Sequence, residues 1–223
     1  MMKTERRIMF ILLSILMLTL LLSLLIVAYM ESNPLMREIP QIALPGEVNK
    51  LTGEQALNSA LYNLNNNQLP QAEALLLSAV RNHPGQLDLW MLLGSVFFRQ
   101  EKYQQAEQTF RNVLRHQPNN PAAYNNLSET LFKLKRFAEA ETYVNKALAL
   151  APHNSVILLN AASLYAVMQN DPKALFFLRE AMKYGVTPEN VGTRPELVHL
   201  LERPDFMNYF IQRKKEKKQD KTP

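Results

Sequence analysis

Residues 87–106 read LDLWMLLGSVFFRQEKYQQA, a stretch that sets Gly94 and Ala106 among large apolar side chains. Small residues return at both positions every 34 residues along the chain. The first set is Ala60, Gly94, Ser128 and Ala162, and the second set is Ala72, Ala106, Ala140 and Ala174. A sustained period of this length with two fixed small positions predicts a stack of helix-turn-helix repeats.

The small residues have a packing role in such a repeat. Two antiparallel helices approach closely only where the side chains between them are small, and large side chains then fill the surrounding space. In the second repeat the large side chains are Trp90, Leu93, Phe97, Tyr103 and Phe110. In the third they are Tyr124, Leu127, Leu131, Phe137 and Val144. Proline follows the same period at Pro84, Pro118 and Pro152, where it would end each second helix.

The pattern predicts two helices in each repeat. We expect them over 54–66, 70–82, 87–100, 103–115, 121–134, 137–149, 155–168 and 171–183. Gly185 is the expected C-cap of the last of these helices. Residues 189–212 are then expected to form capping helices, because the last repeat of an array leaves an apolar face open. The residues that would cover this face are Leu197, Leu200, Leu201, Phe206 and Phe210.

The repeat resembles the tetratricopeptide repeat (TPR) family, whose pattern is Trp-x2-Leu-Gly-x2-Tyr followed by Ala, Phe, Ala and Pro. Four repeats fall at 53–86, 87–120, 121–154 and 155–188. The second matches nearly throughout, and the third has Tyr124 for Trp and Ser128 for Gly. The first has Asn63 where an aromatic residue is usual, and the fourth ends in Gly185 and Val186 rather than Pro. The resemblance implies an all-α fold, an α-solenoid of about four TPR repeats with a C-terminal capping helix.

The N-terminal segment predicts a membrane anchor. Residues 8–30, IMFILLSILMLTLLLSLLIVAYM, contain no charged residue. About 20 apolar residues span the hydrocarbon core of a bilayer, whereas a cleaved signal peptide has a shorter apolar run and small residues at its cleavage site. Residues 1–7 carry three basic residues, and only Arg37 closely follows the span. We therefore expect an uncleaved transmembrane helix with a cytoplasmic N-terminus and the repeats on the other side, in the periplasm of a bacterium.

Two further segments flank the repeats. Residues 31–52 contain Pro34, Pro40 and Pro45 and are expected to form an extended tether. The tether includes Ile39, Ile42 and Leu44, which we expect to pack on the first helix. Residues 213–223 are expected to form a basic, disordered tail, and the alternative interpretation is contact with anionic lipid or an acidic partner.

Charge and composition narrow the class of function. The formal net charge of +5 comes from the ends, because residues 1–7 contribute +2 and residues 211–223 contribute +4, which leaves −1 between them. A nucleic-acid-binding domain needs a basic surface, so no nucleic-acid partner is expected. The chain has no Cys, its His residues do not pair at metal-ligand spacing, and it contains no phosphate-binding loop or nucleophile elbow. We expect no cofactor, no metal and no catalytic activity.

The family resemblance implies that the first helices line a concave groove for a protein or peptide segment. Asn58, Asn126 and Asn160 share one position of the repeat, and an amide that donates and accepts can pair with a peptide backbone. The alternative is that these amides bond within the array. The candidate binding residues are Leu57, Asn58, Leu61, Met91, Leu92, Phe98, Asn125, Asn126, Glu129, Phe132, Leu159 and Asn160.

These residues give an expectation about function. TPR proteins that bind the C-terminal carboxylate of cytosolic chaperones have basic and amide residues where this chain has Leu57, Leu61 and Leu92, so that role is not expected. The sequence favours a membrane-anchored scaffold or adaptor in the assembly of a cell-envelope complex, such as a pilus or a secretion system. One alternative is a non-catalytic TPR subunit of a cytochrome c maturation (haem lyase) complex, and another is a cytosol-facing TPR adaptor.

Overall fold

The computed structural model describes Met17, residues 51–204, Phe206 and Asn208. Residues 51–204 fold into helices and connecting turns, and this part contains no strand. The helices are α1 Gly53–Asn65, α2 Leu69–Asn82, α3 Leu87–Arg99, α4 Tyr103–His116, α5 Pro121–Lys133, α6 Phe137–Leu150, α7 Ser155–Val167, α8 Asp171–Lys183, α9 Pro188–Gly192 and α10 Pro195–Leu201. The predicted all-α fold with successive helix pairs and a capping helix is confirmed.

The ends of α1 to α8 lie within one residue of the bounds that the repeat pattern predicts. The predicted membrane span, 8–30, lies outside the described residues except for Met17, and the tether, 31–52, does so except for its last two residues. The basic tail, 213–223, also lies outside them. Among the described residues, no helix combines the length and apolar character needed to cross a membrane.

Local side chains set several of these helix ends. Thr52 caps α1 through a capping box, in which its hydroxyl accepts from the Gln55 backbone N–H at 3.3 Å and its own N–H donates to the Gln55 side chain at 3.0 Å. The Asn154 side chain caps α7 by accepting from the N–H groups of Val156 and Ile157.

At the end of α8, Gly185 has φ +101°, and the Val186 N–H donates to the Ala181 carbonyl at 3.2 Å. Gly185 therefore sits where a left-handed residue closes the helix.

The small residues lie where helices of one pair cross. Both small sets are buried, and the alanines of the second set have no exposed surface. A Cβ added to Gly94 would lie 2.5 Å from an atom of the Phe110 ring, so α3 and α4 are in direct contact there. In the third repeat, the Ser128 hydroxyl donates to the Ala140 carbonyl at 2.8 Å. These contacts bring the two helices together in the second and third repeats.

The C-terminal helices close the last repeat. The side chains of Val191, Leu197, Leu200 and Phe206 are buried in one cluster with residues of α7 and α8. Leu201 is partly buried against the same cluster. Phe210, the remaining residue expected in this role, lies outside the described residues.

Candidate functional site

The first helices of the four repeats, α1, α3, α5 and α7, lie side by side in chain order. We call the side of these helices that carries the predicted binding residues the first-helix face. Each position on it recurs at the 34-residue period, so Leu57 of α1 corresponds to Met91 of α3. The face therefore presents one row of side chains per helix. The half formed by α1 and α3 is more exposed to solvent than the half formed by α5 and α7.

The half formed by α1 and α3 is open and mostly apolar. Leu61 is 41% exposed and Asn58 is also exposed. Four further predicted residues are half-buried here: Leu57, Met91, Leu92 and Phe98. The Phe98 ring packs edge-on against Tyr103 with its centroid 5.5 Å away, which fixes the ring while leaving part of it accessible. This half can accept apolar side chains from another protein.

The half formed by α5 and α7 is largely closed by contacts within the chain. Asn125 and Asn160 are buried, and the Asn160 Nδ2 donates to the Asn125 Oδ1 at 2.9 Å. Arg194, between α9 and α10, donates from Nη2 to the Asn160 Oδ1 at 2.8 Å. Its Nη1 donates to the Ser163 hydroxyl at 3.0 Å. Both amides thus bond within the array, and their contact with a partner stays a prediction.

Two of the four remaining predicted residues of this half border a cavity. It has a volume of about 280 Å³ and lies between α5, α7 and the segment that begins at Thr193. Glu129 and Phe132 line it and are half-buried, whereas Asn126 is half-buried outside it and Leu159 is buried. Burial raises the pKa of the Glu129 carboxyl, and the nearby positive charge of Arg194 opposes this rise. The cavity is polar and charged, in contrast to the open half.

Arg194 is a residue of this half that the sequence did not predict. It lies after the last repeat, so no 34-residue counterpart marks its position. The only local signal is that it precedes Pro195, which starts α10. Its contacts with α7 depend on how the capping helices pack, and this packing follows from buried side chains such as Leu197.

The described residues offer little for metal binding. No group of three or more His, Asp or Glu residues lies close enough together in this part of the chain to hold a metal ion. The His83 Nε2 lies 2.9 Å from the Leu51 carbonyl oxygen, and the His153 ring stacks on Tyr184 with centroids 4.8 Å apart. These histidines therefore contribute to turns between helices.

Comparison with known proteins places this fold in a family. The tetratricopeptide repeat family model matches residues 57–111 and again residues 96–155. Together with the helix pairs described above, these matches show that the chain belongs to the tetratricopeptide repeat family. No curated protein matches the chain.

Solved structures share the fold at low sequence identity. The thermophilic TPR protein TTC0263 from Thermus thermophilus is 18% identical, with a TM-score of 0.62 over 72% of this chain and 89% of its own. MamA from Desulfovibrio magneticus RS-1 is 14% identical, with a TM-score of 0.55 over 60% of this chain and 75% of its own. MamA AMB-1 is 22% identical, with a TM-score of 0.50 over 63% of this chain and 78% of its own. At these identities the likeness shows the fold alone.

Proposed function

We propose that this TPR protein is a non-catalytic scaffold that binds a segment of a partner protein on the open half of its first-helix face. The observation that carries the proposal is the accessible apolar surface that α1 and α3 share, from Leu57 and Leu61 to Met91, Leu92 and Phe98. Apolar surface that stays accessible on neighbouring helices is typical of a binding site. The fold supports a protein or peptide as the partner.

The chemistry of the open half indicates what kind of segment fits. Its central side chains are aliphatic or aromatic, and Asn58 supplies an exposed amide beside them. A helix or an extended strand with apolar residues at regular spacing would bury these side chains, and the amide would bond its backbone. The Arg194 contacts on α7 favour a segment that ends before the fourth repeat.

We further propose that the scaffold is anchored in the inner membrane with its repeats in the periplasm, where it supports assembly of an envelope complex. The uncharged run over 8–30 and the basic residues before it support this topology. A non-catalytic role in cytochrome c maturation and a cytosol-facing adaptor are the alternatives. A reporter that is active only in the cytoplasm, fused after Pro223, separates the cytosol-facing adaptor from the other two functions, because its activity would contradict the periplasmic topology.

Site-specific photo-crosslinking tests the binding surface. A photoreactive amino acid at Leu92, in the full-length chain in native membranes, should crosslink a discrete partner, and Leu61→Asp should abolish the product. Leu77 on α2 is the matched control, because it is 38% exposed but belongs to a second helix. The same product from Leu77, or a Leu92 product that survives Leu61→Asp, would contradict the proposal.

A further inference from the structure

A second surface is built mainly from the second helices of repeats two and three. Arg111 and Arg115 of α4 face Tyr143 and Lys146 of α6, and Tyr124 of α5 lies between them. Their side chains surround a cavity of about 430 Å³ with leucine residues in its wall. Because its residues come chiefly from α4 and α6, the surface is distinct from the first-helix face.

Aromatic and cationic side chains are organised together on this surface. The rings of Tyr124 and Tyr143 stack with centroids 6.1 Å apart and an angle of 23° between their planes. The Lys146 Nζ lies 5.6 Å from the first centroid and 5.4 Å from the second. The Arg111 Nη1 donates to the Tyr143 hydroxyl at 2.7 Å, and its guanidinium carbon is 5.4 Å from that ring centroid. Cation–π contacts of this kind hold the charges close to the rings.

The charges on this surface are only partly neutralised. Arg111 forms a salt bridge to Glu107 at 2.8 Å and lies 3.6 Å from Glu139. Arg115 and Lys146 are exposed, and neither forms a salt bridge among the residues that the structure describes. The surface therefore offers two positive charges beside aromatic rings and a leucine-lined wall.

The repeat itself provides an internal comparison. The same five positions between repeats one and two carry Leu77, Arg81, Trp90, Thr109 and Asn112. Between repeats three and four they carry Asn145, Ala149, Leu158, Phe177 and Glu180. Neither junction combines two tyrosines with cations, although both have the same helical framework. The framework alone does not require these side chains, which indicates that they serve a purpose other than stacking the repeats.

We propose that this surface, which we call the Arg-Lys-Tyr surface, binds an acidic segment of a partner protein. A carboxylate of the segment pairs with Arg115 and Lys146, and a neighbouring apolar side chain packs on the tyrosines and leucines. Glu107 and Glu139 flank the cations, so a dense polyanion such as nucleic acid would meet repulsion there. The TPR scaffold thereby has two separate surfaces of different chemistry.

Peptide binding to the purified full-length chain in detergent micelles tests this proposal. The probe is a fluorescent octapeptide library with Glu, Asp, Leu and Phe at random positions, and its neutral counterpart has Gln and Asn instead. Fluorescence anisotropy should show binding of the acidic library at least about tenfold tighter than of the neutral one. Binding should weaken as sodium chloride is raised, because salt screens exposed charges.

Variants locate the binding on the molecule. The double variant Arg115→Gln with Lys146→Gln should lose about tenfold in affinity for the acidic library. Arg81→Gln is the matched control, since Arg81 is the exposed counterpart of Arg115 one repeat earlier, and it should bind as the unaltered chain does. Thermal unfolding of each variant checks that the fold is retained, as expected for exposed side chains.

The following results would overturn the proposal. They include equal affinity for the acidic and neutral libraries, no loss of affinity in the double variant, and an equal loss of affinity in Arg81→Gln. Displacement of the acidic peptides by single-stranded DNA or inorganic phosphate, at concentrations similar to those of the acidic library, would also overturn it. Leu61→Asp separates this surface from the first-helix face. It should abolish the crosslinked partner described above and leave the acidic library bound, whereas loss of both would place the acidic peptides on the first-helix face.

Discussion

At the scale of single residues, the close approach of α3 and α4 depends on the missing side chain of Gly94. The nearest Phe110 ring atoms would lie 2.5, 2.8 and 3.0 Å from a Cβ at this position. Real Cβ atoms do not come this close to a ring, so the ring or the helix would have to move. Ala60 and Ala162 tolerate a methyl group at the equivalent crossings, which shows that the requirement comes from Phe110 rather than from the repeat.

Gly94→Ala should therefore destabilise the repeat domain. The gain in helix propensity is up to about 1 kcal/mol, and overpacking against Phe110 costs about 1–3 kcal/mol. We expect a net loss of about 1 kcal/mol in the free energy of unfolding, measured by urea denaturation. Gly85→Ala is the control, because no atom lies within 4 Å of its added Cβ and little change is expected.

A double-mutant cycle identifies the cause of that loss. Phe110→Leu, made in the Gly94→Ala background, should cost less than Phe110→Leu made alone, because the smaller side chain relieves the contact. Equal costs in the two backgrounds, or a Gly94→Ala variant that is as stable as the unaltered chain, would contradict the packing role of Gly94.

At the scale of helices, each first helix ends in the same strained turn. Four non-glycine residues occupy the left-handed region with φ between 56° and 60°, and they are Asn67, Glu101, Lys135 and Gln169. They recur at the period of the repeat. In the third repeat, the Lys135 N–H donates to the Phe132 carbonyl and the Arg136 N–H donates to the Leu131 carbonyl, both at 2.9 Å. The turn thus satisfies the last carbonyls of the helix at the cost of a left-handed backbone.

Lys135→Gly should stabilise the domain. Glycine adopts the left-handed conformation without steric cost, which is worth about 1 kcal/mol or more, and its extra freedom in the unfolded chain removes part of this gain. We expect an increase of about 0.5 kcal/mol in the free energy of unfolding, measured by urea denaturation.

Asn67→Gly is the comparison for this prediction. It should gain less, because asparagine tolerates this conformation better than lysine does. A loss of stability in Lys135→Gly, or a larger gain in Asn67→Gly, would show that the side chains rather than the backbone decide the cost of the turn. Lys135 is exposed, so its removal disturbs little packing.

The sequence predicts features that nearby residues decide and misses features that depend on contacts between distant segments. Helix ends depend on nearby residues, such as the Thr52 cap and the Gly185 turn, and on a period repeated four times, so their positions follow from the pattern. The partner of a buried amide is decided by whichever chain segment packs beside it. Asn160 looks like an exposed groove residue by its repeat position, yet Arg194 from beyond the repeats reaches it.

The Arg-Lys-Tyr surface was not predicted for a related reason. Arg111 and Tyr143 are 32 residues apart, and Tyr124 belongs to a helix between them. In the sequence, Arg111 and Tyr143 occupy ordinary polar positions of second helices, and Tyr124 occupies a packing position of a first helix. Only the stacking of adjacent repeats brings the rings and the cations together.

At the scale of the whole molecule, the repeat domain is built from contacts between neighbours. The helix pairs that pack most extensively belong to one repeat or to adjacent repeats. Leu76 of α2 and Leu200 of α10 are both fully buried, but they lie at opposite ends of the array. In such an array, the free energy of unfolding is close to a sum of contributions from each repeat and from each interface between repeats. A destabilising substitution at one end therefore need not destabilise the other end equally.

Amide hydrogen exchange tests this at both ends. Leu200→Ala and Leu76→Ala each remove a fully buried side chain and should cost about 2–5 kcal/mol. We expect Leu200→Ala to lower protection in α7, α8 and α10 far more than in α1 and α2, and Leu76→Ala to do the reverse. An equal loss of protection in all helices for both variants would show that the domain opens as a single unit. In that case, binding at the open half of the first-helix face would also stabilise the Arg-Lys-Tyr surface, because any partner of the folded state would stabilise every helix equally.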